Sequence, residues 1–247
     1  MKTQTEVIEA NWPAPSHVRA FVSTRNGGVS QGAYNSLNLG AHVGDKPADV
    51  LENRVQFSHA IHMPDSLRWL NQVHGTEVIE LPSRIDDLSA DGAFTKQASQ
   101  VCAVLTADCL PVFFCNKEGT RVAATHAGWR GLCNGILEQT LQNFPETEEV
   151  MVWLGPAIGP SHFEVGEDVK AAFVTKDAMA ITAFVPHVSG KWFADLYQLA
   201  RQRLLAQGVT QIFGGDHCTF AESDTFYSYR RDGVTGRMAS VIWFEEH

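Results

Sequence analysis

The chain has 247 residues, with 28 acidic against 19 basic side chains, a formal net charge of −9 and 44% hydrophobic residues. This is the composition of a globular protein with a sizeable core, and the acidic balance without a basic run argues against nucleic acid or an anionic membrane as partner. No apolar stretch reaches membrane-span length, MKTQTEVIEANWPAP lacks an apolar signal core, and the five cysteines show no CxxC spacing, so a cytoplasmic location is expected.

In chain order, a short lead precedes a strand around Val18–Thr24. The loop TRNGGVSQGAYNSLNLG follows, rich in Gly, Asn and Ser and without helical or strand period. Loops this long in compact domains are usually functional or disordered. Arg25, beside Gly27 and Gly28, is placed to offer a guanidinium and backbone N–H groups to an anion. Val50, Phe57 and Ile61 stand at helical spacing, which predicts an amphipathic helix over Pro47–Ile61. Leu67–Leu70 and Val78–Leu81 read as two strands around the turn NQVHG, which carries His74. The connector PSRIDDLSADGAF contains Asp91-Gly92; aspartate before glycine reads as a turn residue, and Asp91 is also a candidate substrate contact.

The stretch from Thr106 to Gly131, TADCLPVFFCNKEGTRVAATHAGWRG, is the centre of the chain. LPVFFC and RVAAT flank the turn NKEGT and predict a β-hairpin. Cys109 enters its first strand and His126 leaves its second, so antiparallel pairing brings both side chains to one end of the sheet. The segment HAGWRGLCNGILEQTLQNF continues as a helix with Leu132, Ile136, Leu137 and Leu141. Its glycine-rich start carries Arg130, a candidate phosphate contact at a helix N-terminus.

Beyond this, Val150–Leu154 is a predicted buried strand ending in the turn GPAIGP. Gly166–Val174 and Asp195–Gln207 are predicted helices, and Gln211–Gly214 a short strand. FYSYRRDGVTGRMASVIWF reads as a hairpin turning at Asp-Gly. No repeat, low-complexity tract or linker interrupts the chain, which is therefore read as one domain over 1–247. Irregular alternation of strands and helices, with hairpins, argues for α+β with mixed sheets.

Three chemistries are open to His74, Cys109 and His126. Two imidazoles and one thiolate form a zinc site with an open fourth position. Alternatively, Cys109 is the nucleophile of a hydrolase and a histidine its base. In the third reading Cys109 is a small buried hydrophobe and the histidines satisfy backbone groups.

The blocks NQVHG, TADCLPV, HAGWRG, GPAIGP with FEVG, and YSYRRDGVTGRMAS resemble the signature blocks of the laccase-domain family, from about Thr24 to Trp243. This resemblance implies a four-layer α/β/β/α sandwich and a metal held by His74, Cys109 and His126. It further implies a zinc-dependent purine nucleoside phosphorylase with adenosine deaminase activity, acting on a small nucleoside and phosphate with no obligate protein partner. Two other activities attach to such proteins. One is editing of cytoplasmic peptidoglycan precursors by amide hydrolysis of a UDP-linked muropeptide; the other is copper-dependent polyphenol oxidation. The ten histidines form no His-X-His pair, which weighs against a trinuclear copper cluster, although an N/S site can bind copper. HFEVG at 162–166 departs from the many members that carry a cysteine and a tyrosine before the glutamate.

Overall fold

The computed structural model describes residues 5–84, 86, 88–145 and 149–246. One sheet runs in the order β1 (Val7–Glu9), β2 (Val18–Ser23), β13 (Met238–Phe244), β5 (Cys102–Thr106), all antiparallel. A second has the order β12 (Gln211–Gly214), β8 (Val150–Leu154), β6 (Leu110–Asn116), β7 (Val122–Ala127), β4 (Gly92–Thr95), β3 (Val78–Leu81). Its edge pairs are parallel and its inner pairs antiparallel, the mixed arrangement expected. The third is a small antiparallel sheet, β10 (Phe184–Pro186), β11 (Lys191–Ala194), β9 (Glu164–Gly166).

Alternation of side chains along these strands produces the layers. Ala239, Val241 and Trp243 of β13 pack with Phe21, Ala103, Leu105, and with Phe57 on α1 (Pro47–Ala60). Met238, Ile242 and Phe244, their opposite-face neighbours, join Phe113, Cys115, Val122 and Ala124 in a core between the two large sheets. Leu110, Val112 and Phe114 of β6 face a third core with Leu132, Ile136, Val169, Leu199 and Leu204. Those residues come from α2 (Trp129–Asn134), α3 (Ile136–Leu141), α4 (Glu167–Lys176) and α5 (Leu196–Ala206). Helix, sheet, sheet and helices thus stack as α/β/β/α. Each fully buried Val, Leu, Ile or Phe stabilises by about 1.5–3 kcal/mol, and a one-residue slip would turn every such side chain to the wrong face. Among the described residues no helix is long and apolar enough to cross a membrane.

Several predicted elements differ. Residues 67–70 form no strand; Asn71 makes only an isolated bridge to Ser89, and β3 pairs with β4 instead. The helix after His126 breaks into α2 and α3 at Gly135, whose φ of 104° is left-handed. The C-terminal hairpin is absent. Both edges of β13 are taken by β2 and β5, and Tyr229–Asp232 forms a single helical turn, α6, capped by Ser228. In α1, Leu51 and Val55 are exposed, while Asn53 is buried. Its amide bonds Val29, Ser30 and Asn38, and so gives the long glycine-rich loop a fixed path.

Candidate active site

The β6–β7 hairpin sets Pro111 opposite His126. Cys109, just before β6, therefore meets His126 at one sheet end, and the loop 71–75 brings His74 across that end. The candidate ligand atoms of the three lie within 4.8 Å of one another. The two imidazoles meet edge to face, with centroids 4.8 Å apart.

Each member is held by its own device. Cys109 follows Asp108, a buried residue in the left-handed region at φ 90°. Its carboxylate accepts from Thr219 Oγ1 and Arg230 N, both at 2.7 Å, and its carbonyl accepts from Ile158 N. These bonds over-determine a turn that an L-residue otherwise avoids. Loop 71–75 is fastened by Gln72, whose amide bonds both N and O of Leu105 as a strand residue would. His74 has φ 59°, and the N–H groups of Val73, His74 and Gly75 converge on the Asp91 carboxylate at 3.2, 2.9 and 2.6 Å. The same carboxylate accepts from His126 Nδ1 at 2.8 Å, which leaves Nε2 to face a ligand. Asp91 therefore orients both histidines, one through its ring and one through its main chain.

Two imidazoles and one thiolate, with one histidine anchored by a carboxylate, form a donor set that fits zinc, and equally copper. Burial alone would raise the Cys109 pKa, but the charges of and hydrogen bonds from His126 and His74 bring it down to about 6. Burial would lower His126, yet the Cys109 thiolate and Asp91 raise it to about 9. Both shifts favour a thiolate–imidazolium pair in the metal-free protein.

Stability rises with pH wherever the unfolded chain binds more protons than the folded one. The Cys109 contribution to stability grows as pH rises from about 6 towards the ordinary value of 9.0, and the His126 contribution fades between 6.5 and about 9. In that window the folded thiolate–imidazolium pair and the unfolded thiol–imidazole pair hold equal protons. Stability of metal-free protein is therefore expected to stay level across it, while iodoacetamide labelling of Cys109 reaches its plateau well below pH 9. Denaturant titration and labelling rates across that range check both. A labelling rate still climbing at pH 9 would show an unactivated thiol.

Gly128 closes the site from α2's N-terminus. A Cβ there would lie 3.1 Å from both Cys109 Sγ and His74 Cδ2, and 3.6 Å from His126 Cε1. Its φ of −63° suits alanine. Gly128→Ala is therefore expected to fold but to weaken binding of an added metal such as zinc about tenfold, the lower end for disturbed metal surroundings. Chelator competition beside thermal unfolding measures this, and unchanged affinity would mean that the site yields freely.

The trio opens into a cleft of about 800 Å³ whose walls include Trp69, Tyr229, His42, Arg54 and Arg237. The predicted anion contacts lie elsewhere. Arg25 spends its guanidinium on the carbonyls of Asn35 and Ser223 and stacks on Tyr227. Arg130 lies over Trp129 and lines a separate depression with Asp168 and Lys176. Glycine-rich surroundings marked both, but local flexibility does not say where a side chain points. Asp91, the other expected substrate contact, is fully buried, with protein donors on both oxygens, and is not among the described residues lining the cleft. Sequence reasoning missed Gln72, Asp108, Arg54 and Arg237. For Asp91, the only local signal was a carboxylate directly before an apolar strand.

The sequence matches the family described as "Multi-copper polyphenol oxidoreductase laccase" over residues 19–245. It is 54% identical to the purine nucleoside phosphorylase YfiH of Escherichia coli (strain K12) over 241 residues, covering 97% of this chain and 99% of that protein. The purine nucleoside phosphorylase of Haemophilus influenzae is 51% identical, with 97% and 100% covered. Neisseria meningitidis protein NMB0706, known as a crystal structure, superposes with a TM-score of 0.91 at 50% identity over 97% of this chain and 99% of that one.

Proposed function

Because the chain belongs to the multi-copper polyphenol oxidoreductase laccase family, we propose on the chemistry of its cleft that it is a cytoplasmic, zinc-dependent purine nucleoside phosphorylase with adenosine deaminase activity. Adenosine, inosine and methylthioadenosine are its substrate type, yielding the free base and a ribose 1-phosphate type sugar. The observation that carries this reading is the convergence of His74, Cys109 and His126 within 4.8 Å at the foot of one cleft. Purine nucleoside phosphorylases from Escherichia coli and Haemophilus influenzae, similar over nearly their whole length, support it.

His74, Cys109 and His126 would hold the metal, which when bound would supply Lewis-acid chemistry. Asp91 keeps the Nδ1 proton on His126 and so fixes its tautomer. Tyr229, largely exposed in the cleft wall, offers flat apolar surface for a purine. Oxidation of polyphenols by a trinuclear copper cluster would require more imidazoles than this cleft presents.

Amide hydrolysis of a UDP-linked muropeptide is the second reading, favoured by the low pKa of Cys109 beside His126. Product analysis separates the two. Zinc-loaded protein given adenosine and phosphate is expected to release ribose 1-phosphate and a free purine base. Release of an amino acid from the muropeptide, with no sugar phosphate from adenosine, would overturn the phosphorylase reading.

A further inference from the structure

In a chain of net charge −9, no carboxylate stands among the described residues lining this cleft, whereas two arginines do. Both are set by the buried segment 38–40. Arg54 donates Nε and Nη2 to the Leu39 carbonyl at 3.0 and 2.9 Å, with Cζ 4.2 Å from the Trp69 ring centroid. Arg237 accepts Leu39 N–H at its carbonyl and donates its own N–H to Asn38 Oδ1. Its stem lies against Gly40, where a Cβ would come within 2.8 Å of Cγ. Among the described residues, Arg237 uses only Nη1, on the carbonyls of Thr235 and Gly236.

Nη1 of Arg54, and Nε and Nη2 of Arg237, therefore bond none of the described residues, and none is a buried, unsatisfied group. A free Nε–Nη2 edge on a half-buried guanidinium matches two oxygens of a tetrahedral anion. His42, at the rim, feels both arginines: partial burial, then Arg237 and Arg54, lower its pKa. The two guanidinia thus act on one region. An independent sign lies next to Arg237. Thr106, which pairs with Met238 across the sheet, is 2% exposed, lines the cleft, and has a hydroxyl with no partner among the described residues.

We infer that Arg54 and Arg237 form the oxyanion subsite of this cleft and hold inorganic phosphate beside the His74–Cys109–His126 centre. The assignment of the anion as co-substrate rests on the phosphorylase reading. In that reaction a phosphate oxygen forms a bond to ribose C1′, the C1′–N9 bond breaks, and its electron pair leaves with the purine. The purine takes up the phosphate's proton, so hydrogen phosphate and nucleoside give free base and sugar phosphate. The arginines neutralise the nucleophile's charge on entry and keep its free oxygens turned from C1′.

Phosphate binding is measured directly, by calorimetry on zinc-loaded protein without nucleoside, for wild type, Arg237→Gln, Arg237→Lys and Arg130→Gln. Arg237→Gln is expected to weaken inorganic phosphate binding about tenfold or more, the loss for a charge-assisted contact. Arg237→Lys, keeping charge without the planar edge, should fall between, and Arg130→Gln should match wild type. Zinc content and thermal unfolding confirm that each variant is loaded and folded. Wild-type phosphate affinity in a folded Arg237→Gln would overturn the assignment. So would a wild-type protein that binds UDP through Arg237 but not inorganic phosphate, since the subsite would then serve a nucleotide-linked diphosphate. Phosphate binding that depends on Arg237, with no ribose 1-phosphate from adenosine, would uphold the subsite and remove the phosphorylase reading.

Discussion

Asp91→Ala is expected to lower the stability of the metal-free protein by about 3–5 kcal/mol, the cost of breaking a buried ion pair, and to abolish metal retention. The carboxylate is fully buried and accepts from Val73, His74, Gly75 and the His126 ring. Its removal leaves three backbone N–H groups and a charged imidazole without their acceptor. Burial would raise the Asp91 pKa, but the bonds from His126, Gly75 and Val73 and the His126 charge hold it below the usual carboxylate range. Its contribution is thus present at neutral pH and lost only as pH falls through that lowered value.

Asp91→Asn distinguishes charge from shape. Its oxygen can serve His126 and His74, while its amide N–H₂ then opposes the N–H of Gly75. Zinc affinity should drop about 10- to 100-fold, as when a ligand's supporting partner is lost. Competition with a chelator reads this, and wild-type affinity in the amide variant would show that hydrogen-bond geometry alone suffices.

The second large effect concerns Cys109. Cys109→Ala should reduce bound zinc from near one per chain to a small fraction, because two imidazoles from separate elements remain, one of them exposed. In wild type, iodoacetamide should label Cys109 slowly with zinc bound and quickly after chelation, since a metal-bound thiolate has its lone pair engaged. Activity should disappear on chelation and return with zinc alone. Full zinc in Cys109→Ala would remove it from the ligand set. Undiminished turnover in chelated enzyme would make it a free nucleophile instead.

Much of the candidate site is legible in the sequence because part of it is local. The turn NKEGT joins two apolar runs, and period-2 alternation settles that Cys109 and His126 emerge at one end, as the Pro111–His126 register shows. Helices α1 and α5 declare themselves by apolar spacing. The four-layer order, by contrast, was expected only from resemblance. It depends on which faces of β2, β5 and β13 find which partners, and strand alternation alone is blind to that.

Tertiary structure decided the rest. Asp91 stands 17 residues from His74 and 35 from His126, and only the pairing of β4 with β7 brings it beneath both. By itself Asp-Gly reads as a turn. The C-terminal hairpin failed because hydrogen-bonding edges are finite. Once β2 and β5 flank β13, residues 226–232 must bond elsewhere, and Arg230 and Arg231 do so with Asp108, Thr219, Phe220 and Phe226. Arg54 and Arg237 come from distant parts of the chain and meet the same short segment. The sequence by itself determined the donor chemistry and the hairpin that presents it. Which arginines and which carboxylate serve that chemistry was decided by long-range packing, because a side chain's partners depend on the backbone it is folded against.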